Sequence, residues 1–480
     1  MSSFQSQYSD GFFCVNPDNG FLPKSAPLKT LPEKYLAVQD ICNRLHVSQE
    51  DGSSGILGVP NQIVDEVAGL PNLVDEVQKE TDPFILQALF RAYSFLTSAF
   101  TLELSYQEFK KSGNYGPARR FLPKQVAQPF VAVSAKLDVF PWMDYHYSYS
   151  LGNYVKKDDN GSLNWENLGM AVKFAGTSDE IGFIMLHVYI NELSPSLISS
   201  LYQVAEGVKE NDVEKINSGL ELNYKTIREM NSRRREMWKA SNHKNYNDFR
   251  IFIMGIKGND ELFGDGLVYE GCFNDEPQNF RGQTGAQDDI IPTQDIFSGV
   301  MAYYPENKLT SYLMELREYR PKCVQAFFND LQELFANKTV FNHLVETDNL
   351  EGLGLLWLIV DEIYRFRNGH WQFVQKYIME NTRYEKATGG TPITSWLINQ
   401  IEACLKYQDD IRQALAGKQI GHKNKDILKE ILAAFTSLDE KQALLKKQVE
   451  HLNSETNYNI ELIYNWNKEH SLIDNPNEDK

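Results

Sequence analysis

The chain has 480 residues, 42% of them hydrophobic and 24% charged, which is an ordinary composition for a soluble globular protein of about two or three domains. With 48 basic against 65 acidic residues, the formal net charge of −17 argues against nucleic acid or an anionic membrane surface as the main partner. The five cysteines form no C-x-x-C pair and no basic, apolar leader opens the chain, so we expect a cytoplasmic protein without disulfides or a zinc–thiolate site.

The predicted elements are helices, with few convincing strands. Apolar residues three or four positions apart predict a first strong helix that begins near Asp82. The same spacing predicts helices at residues 213–230 and 355–379. Between them, residues 259–293 are rich in glycine and indicate a long loop, which is usually either functional or disordered. We therefore predict an all-α fold.

Composition divides the chain into three parts. We predict a small N-terminal helical domain with its linker at residues 1–155, a large helical domain at residues 156–415, and a C-terminal helical extension with a polar tail at residues 416–480. The polar run at residues 156–161 marks the first boundary. The apolar faces of the extension could serve a partner protein or pack on the large domain.

Familiar catalytic motifs are missing from the sequence. It contains no P-loop, no G-x-S-x-G elbow and no H-E-x-x-H pair, and Gly264 and Gly266 do not stand between a strand and a helix as a dinucleotide site requires. The longest apolar run, residues 353–360, is too short to span a bilayer. Histidine is scarce, with 9 in the chain, so the position of each one is informative.

His370 lies on the apolar face of a predicted helix. The residues that share this face are Leu356, Ile359, Ile363, Phe366, His370, Val374 and Tyr377. Gly369 precedes the histidine and would let a bulky group approach the backbone, and Arg365 and Arg367 stand one turn earlier. An imidazole, an apolar wall and arginines suit a haem site. A hydrogen-bonded core histidine fits the same pattern, and the residues alone leave both interpretations open.

His187 lies in a short apolar run, residues 181–190, whose periodicity does not distinguish a helix from a strand. If the run is helical, Phe183 and His187 share a face one turn apart. They could then form one wall of a ligand pocket, or they could be core residues.

Eight positions or segments of the chain form one ordered set: residues 163–168, 250–258, 265–271 and 280–287, Asp295, and residues 367–370, 376–378 and 388–391. Together they resemble the indoleamine 2,3-dioxygenase family, the haem enzymes that open the indole ring of tryptophan. Their order and spacing agree with the family over residues 122–396, and the N-terminal part matches only weakly. The resemblance implies an all-α protein with a small N-terminal domain and a large haem domain.

Four residues of the haem site follow from the resemblance. His370 stands at the position of the proximal ligand, so haem b would be bound through its iron to this imidazole. Arg367 matches the partner of a haem propionate, and Asp295 matches an aspartate in the hydrogen-bond network on the same side. Gly285 belongs to the segment beside the haem.

The substrate residues follow in the same way. Arg250 matches the arginine that holds the substrate carboxylate, a task that suits the planar fork of a guanidinium. Thr388 and Gly389 match the loop that closes over the substrate. Phe183 matches the ring against which the indole packs, and Tyr246 is a further pocket residue.

Three departures from the mammalian pattern of the family involve four positions. His187 replaces a serine and is similar to the distal histidine of the related tryptophan 2,3-dioxygenases, which hydrogen-bonds the indole N–H; we take it as the mark of a bacterial-type member. Asn245 and Tyr246 replace two phenylalanines, and Thr284 replaces a serine beside the bound dioxygen. We assign His187, Phe183 and Thr284 to the reaction itself.

The expected reaction is the insertion of O2 across the C2–C3 bond of the indole of L-tryptophan, which gives N-formylkynurenine. It would require an electron donor that keeps the haem ferrous, and we expect a monomer with no nucleic-acid or membrane partner. Two alternatives stay open: a haem oxygenase of the same superfamily that acts on another indole by monooxygenation or rearrangement, and a non-catalytic haem-binding or interaction protein.

Overall fold

The computed structural model describes residues 3–49, 51–306, 308–382, 384, 386–390 and 396–454. Over this part of the chain the predicted all-α fold is confirmed. The helices of the first half are α1 Leu36–Arg44, α2 Gln62–Ala68, α3 Val74–Lys79, α4 Pro83–Ser112, α5 Lys124–Leu137, α6 Ser178–Asn191, α7 Ser194–Glu210, α8 Val213–Arg235, α9 Met237–Ala240 and α10 Asn247–Arg250. Those of the second half are α11 Asp260–Phe263, α12 Ile290–Ser298, α13 Lys308–Glu315, α14 Lys322–Phe335, α15 Thr339–Glu346, α16 Leu350–Phe373, α17 Trp396–Ala414, α18 Lys425–Thr436 and α19 Leu438–Ser454.

Strands are short and pair only locally. They are β1 Tyr8–Ser9, β2 Cys14–Val15, β3 Phe121–Leu122, β4 Tyr154–Lys156, β5 Leu168–Met170 and β6 Val268–Tyr269. β1 pairs antiparallel with β2, and β4 with β5, whereas β3 and β6 are parallel. The parallel pair ties the start of the glycine-rich stretch to the N-terminal part of the chain.

Helix α4 begins where the sequence predicts. The Asp82 side chain accepts hydrogen bonds from the backbone N–H groups of Phe84 and Ile85, and Pro83 occupies the first helical position, where its missing N–H costs nothing. Gly113 ends the helix with a φ of 76°, a left-handed conformation that glycine adopts without strain. Most of this helix is buried, so it forms the centre of the N-terminal part.

Helix α16 carries His370 in its last turn. Asn349 caps its start by accepting a hydrogen bond from the backbone N–H of Gly352. Beyond Phe373 the chain continues as a π-helical turn, Val374–Met379. A π-turn rotates the side chains that follow it away from the α-helical register. Such turns are frequent at functional sites.

Helix α6 settles the ambiguity of the apolar run that contains His187. Thr177 caps it by accepting from the Glu180 N–H, and the buried Glu180 carboxylate accepts hydrogen bonds from the backbone N–H groups of residues 174–176. These bonds satisfy the first turn and fix the helical path, so Phe183 and His187 lie on one face.

The N-terminal residues and the helices α18 and α19 pack on the large helical part. Tyr8 donates a hydrogen bond of 2.6 Å to Asp330 in α14. In the extension, α18 and α19 pack against α16 and α17, and Phe435 stacks on Trp357 with a centroid distance of 4.0 Å. The packed face of these two helices is therefore covered by the chain itself, and residues 455–480 of the predicted extension lie outside the described residues. The domain boundaries at residues 155 and 415 stay predictions.

One stretch, Ser178–Glu210, is long and apolar enough to cross a membrane by length and composition alone. It consists of α6 and α7, and 56% of its most apolar window is buried inside the protein. Helices in the core of a soluble protein meet the same criteria of length and apolar composition.

Candidate functional site

A cavity of about 360 Å³ lies between α6, α8, α12 and α16, a size typical of small-molecule and cofactor sites. Its walls are mostly apolar, and the side chains that make them so include Leu186, Ile190, Ile290, Ile291, Phe366, Phe373 and Val374. His187 on α6 and His370 on α16 both line it. Residues that are 183 positions apart in the sequence thus share one enclosed space.

The imidazole of His370 is enclosed but unbonded. The side chain has accessible surface, and this surface lines the cavity. Among the residues that the structure describes, none hydrogen-bonds this ring. Burial, and next the positive charge of Arg234, lower its pKa to about 4. The ring is therefore neutral at pH 7, with a nitrogen lone pair available to a metal ion.

Arg367 and Asp295 form a buried ion pair beside His370. Nη2 of Arg367 lies 2.8 and 2.7 Å from the two carboxylate oxygens, and Tyr304 donates a hydrogen bond of 2.5 Å to the same carboxylate. Nη1 donates to the carbonyl oxygen of Gln400 at 2.9 Å. Burial opposes the guanidinium charge, but attraction to Asp295 outweighs it and raises the pKa of Arg367. Both residues stand on the cavity wall, as the resemblance implies.

His187 is anchored on the opposite wall. Its Nδ1 lies 3.1 Å from the carbonyl oxygen of Phe183, one helical turn earlier. That bond requires the proton on Nδ1, which leaves Nε2 as an acceptor on the cavity side. Burial lowers the pKa of His187 against the opposing pull of Asp288, so the ring is neutral at pH 7.

Aromatic rings close the space beside His187. Phe183 packs against Tyr246, Phe249 and Tyr377 at centroid distances of 4.9, 5.7 and 5.7 Å. Phe183, Tyr246 and Tyr377 line the cavity. Burial raises the pKa of Tyr246 to about 12, so its hydroxyl stays protonated. This flat, ring-lined region suits a planar aromatic ligand.

Two loops meet at the remaining side of the cavity. Thr284 caps a short turn, Gly285–Gln287, and lines the cavity together with Gly285. Thr388 lines it from the second loop, and its carbonyl oxygen accepts a hydrogen bond from the N–H of Gly255 at 2.8 Å. Gly389 is buried against Tyr312 so closely that a Cβ there would lie 2.0 Å from the hydroxyl oxygen. The predicted loop residues are therefore brought together.

Arg250 does not stand on the cavity wall. Its guanidinium is fully buried, where Nη1 donates to the Tyr115 hydroxyl at 2.8 Å and Nη2 to the carbonyl oxygen of Lys386 at 2.6 Å. Lys386 precedes Thr388 by two positions, so the arginine is bonded to the loop that lines the cavity. Its two terminal nitrogens are thus bonded within the protein, whereas the buried Nε has no hydrogen-bond partner among the described residues.

The polar lining residues that the sequence did not predict include Arg234, Asp288 and Tyr304. Arg234 lies in the run 233–235, which we would assign to a solvated helix face, and Asp288 follows the predicted segment 280–287 by one position. Of these three, only Asp288 could have been suspected from the sequence, because it lies in the glycine-rich loop at residues 259–293. The helical phase that turns Arg234 inward is decided by packing.

The residues of this cavity fit a haem. A lone neutral imidazole without a hydrogen bond, apolar walls on both sides and a nearby arginine suit an iron porphyrin. Within the described part of the chain, no cluster of three or more metal-binding side chains exists that could hold an ion without a porphyrin.

Comparison with known proteins places the chain in one family. The model of the indoleamine 2,3-dioxygenase family matches residues 10–458. Indoleamine 2,3-dioxygenase 1 of Rattus norvegicus is 27% identical over 66% of this chain and 72% of its own. The indoleamine 2,3-dioxygenase of Saccharomyces cerevisiae is 25% identical over 76% and 79%. A 6-hydroxytryptophan 2,3-dioxygenase of Fusarium equiseti is 25% identical over 76% and 84%.

Proposed function

Because the chain belongs to the indoleamine 2,3-dioxygenase family, we propose that it is a haem b enzyme that cleaves the indole ring of L-tryptophan with O2 to give N-formylkynurenine. The observation that carries the proposal is the pair of neutral imidazoles on opposite walls of one cavity. His370 has no hydrogen bond among the described residues and is ready to bind iron, whereas His187 is anchored and presents one acceptor nitrogen.

The haem would supply the dioxygen chemistry, and the protein would hold the substrate against it. Nε2 of His187 would accept the indole N–H, while Phe183 and Tyr246 would pack on the ring. These contacts fix the orientation of the C2–C3 bond and exclude water, which together favour reaction in a single geometry. Thr284 would contact the dioxygen side of the substrate from the loop.

The substrate carboxylate would be held where the loop meets Arg250. In the structure Nη2 of Arg250 donates to the carbonyl oxygen of Lys386. A carboxylate is a stronger acceptor than a carbonyl, so we expect a bound amino acid to take this hydrogen bond and to shift the loop that carries Thr388.

The proposal is tested on purified protein loaded with haem. A Soret band that shifts on addition of CO, and a product with the mass of N-formylkynurenine from ferrous protein, L-tryptophan and O2, are expected. With 18O2 the product should carry two labelled atoms. A protein that takes up no haem would refute the assignment, and a singly labelled product would favour monooxygenation of an indole instead.

Asp288 favours a second candidate substrate, a tryptophan with a hydroxyl group on the ring. Its carboxylate faces the cavity near His187; Oδ2 accepts from Tyr145 at 2.6 Å and from Asn191 at 2.8 Å, and Oδ1 accepts from the Ile290 N–H at 2.9 Å. Oδ1 has room for one more donor. A relative in Fusarium equiseti is named for 6-hydroxytryptophan.

Steady-state kinetics would separate the two substrates. If the hydroxyl is recognised, kcat/KM for 6-hydroxytryptophan should exceed that for tryptophan, and D288A should reduce the ratio. An unchanged ratio in D288A would leave tryptophan as the substrate.

A further inference from the structure

Arg234 is a cation inside the haem cavity that the proposed mechanism leaves without a task. It stands in the last turn of α8, is 9% exposed and lines the same cavity as His370. Its guanidinium carbon lies 5.6 Å from the Phe366 ring centroid and 5.3 Å from that of Phe373, both on α16. Two cation–π contacts to one helix thus help to hold the charge in place.

Among the described residues, no acid forms an ion pair with Arg234. Nε donates to Asn231 Oδ1 at 3.2 Å, and within the same part of the chain neither terminal nitrogen has a hydrogen-bond partner. Glu362, an acid whose charge acts on Arg234, accepts a hydrogen bond from the Asn231 amide at 2.8 Å. The adjacent, exposed Arg235 adds a second positive charge. By contrast, two other arginines of the cavity, Arg320 and Arg367, are each paired with an aspartate.

Arg234 also lies against the backbone that presents His370. A Cβ placed on Gly369 would be 2.1 Å from Nη1 of Arg234, so the glycine is what permits this approach. Its guanidinium is therefore within one residue of the proposed iron ligand, in a space with apolar walls where Coulomb interactions are weakly screened.

We propose that Arg234 is a positioning residue that sets the redox balance of the iron by holding a fixed positive charge on the His370 side of the cavity. This inference rests on the proposed haem function. Transfer of one electron from the electron donor to a bound ferric haem would lower the charge at the iron by one. A nearby cation would therefore stabilise the ferrous form, which is the form that binds O2, relative to the ferric form.

The test is a spectroelectrochemical titration of the haem-loaded full chain with mediator dyes. Arg234→Met should lower the midpoint potential by about 59 mV or more, which is a tenfold shift of the ferric–ferrous equilibrium for one electron. R234K keeps the charge and should retain most of the wild-type potential. R235Q removes an exposed charge from the same helix and is the matched control, with no shift expected.

Equal midpoint potentials in wild type and R234M would overturn the inference and leave the haem assignment intact. Loss of haem from R234M with retention in R234K would overturn it too, because the charge would then bind the cofactor instead of setting its potential. If every variant at this position fails to fold, as judged by thermal unfolding, the residue has a structural role and the inference is wrong. A wild-type protein without haem would refute the proposed function itself.

Discussion

The two walls of the cavity carry the same residue type in opposite conditions. On α16, His370 has no hydrogen bond among the described residues, and burial lowers its pKa to about 4. On α6, His187 is fixed at 3.1 Å to its own helix and turns only one nitrogen to the cavity. The first ring is suited to bind a metal ion and the second to orient a ligand. The hydrogen bonds of each imidazole, and not its residue type, therefore decide whether it can bind a metal ion or orient a ligand.

The charges around the walls differ as well. The His370 side has the Arg367–Asp295 pair and the unpaired Arg234, so its net charge is positive. Asp288 lies on the His187 side and gives it an acidic group. The cavity is therefore polarised from one wall to the other, and each of the following changes tests one side of that polarity.

Removal of His370, the proposed iron ligand, should have the largest effect. We expect His370→Ala to abolish haem binding and activity, because among the described residues it is the one imidazole on that wall. Haem content per chain and the Soret band measure the result. His187→Ala is the matched control and should keep its haem. Equal haem retention by both variants would remove the distinction between the walls.

Loss of the buried acid on the His370 wall should destabilise the protein. Asp295→Ala leaves the Arg367 guanidinium buried without its counter-charge, which costs about 3–5 kcal/mol in comparable pairs. Urea unfolding of the haem-free protein measures the change. Lys29→Met breaks an exposed ion pair, Lys29–Asp159, and should change the free energy of unfolding by less than about 0.5 kcal/mol. A similar loss in both variants would contradict the prediction.

On the opposite wall, His187→Ala should reduce kcat/KM for L-tryptophan by about tenfold to a hundredfold, since it removes one hydrogen bond worth roughly 1–3 kcal/mol. The same variant should lose little activity on 1-methyltryptophan, which has no N–H to donate. Steady-state kinetics with both substrates provide the measurement, and a parallel loss on both would argue against this hydrogen bond.

The smallest effect is expected from pH. Protonation of His370 competes with iron, and its pKa is lowered to about 4, so haem affinity should be constant from pH 8 to about 5 and fall only below that. Haem affinity falls at low pH, and not at high pH, because only the neutral imidazole can bind iron. Soret titrations of wild type and His187→Ala should give the same curve. A decline that begins at pH 6.5 would show that the ring is not shielded.

Much of the architecture could be predicted from periodicity. The apolar stripe through His370 predicted a helix at residues 355–379; α16 begins five residues earlier, at Leu350, and its π-helical continuation ends at Met379. The predicted start near Asp82 agrees with the start of α4. The run around His187 was ambiguous because β-branched and apolar residues fill it on all sides. The cap at Thr177 and the Glu180 carboxylate decided it, through hydrogen bonds to residues that the run does not contain.

By itself the sequence determined the helical class, the acidic surface and, through its resemblance to a family, the residues that surround the site. Only the tertiary structure decided which of them face the cavity: Arg234 turns inward, Arg250 is bonded away from the wall, and Asp288 joins His187. Spacing along a helix specifies which residues share a face. Which face is buried, and what it meets there, depends on contacts between helices far apart in the chain.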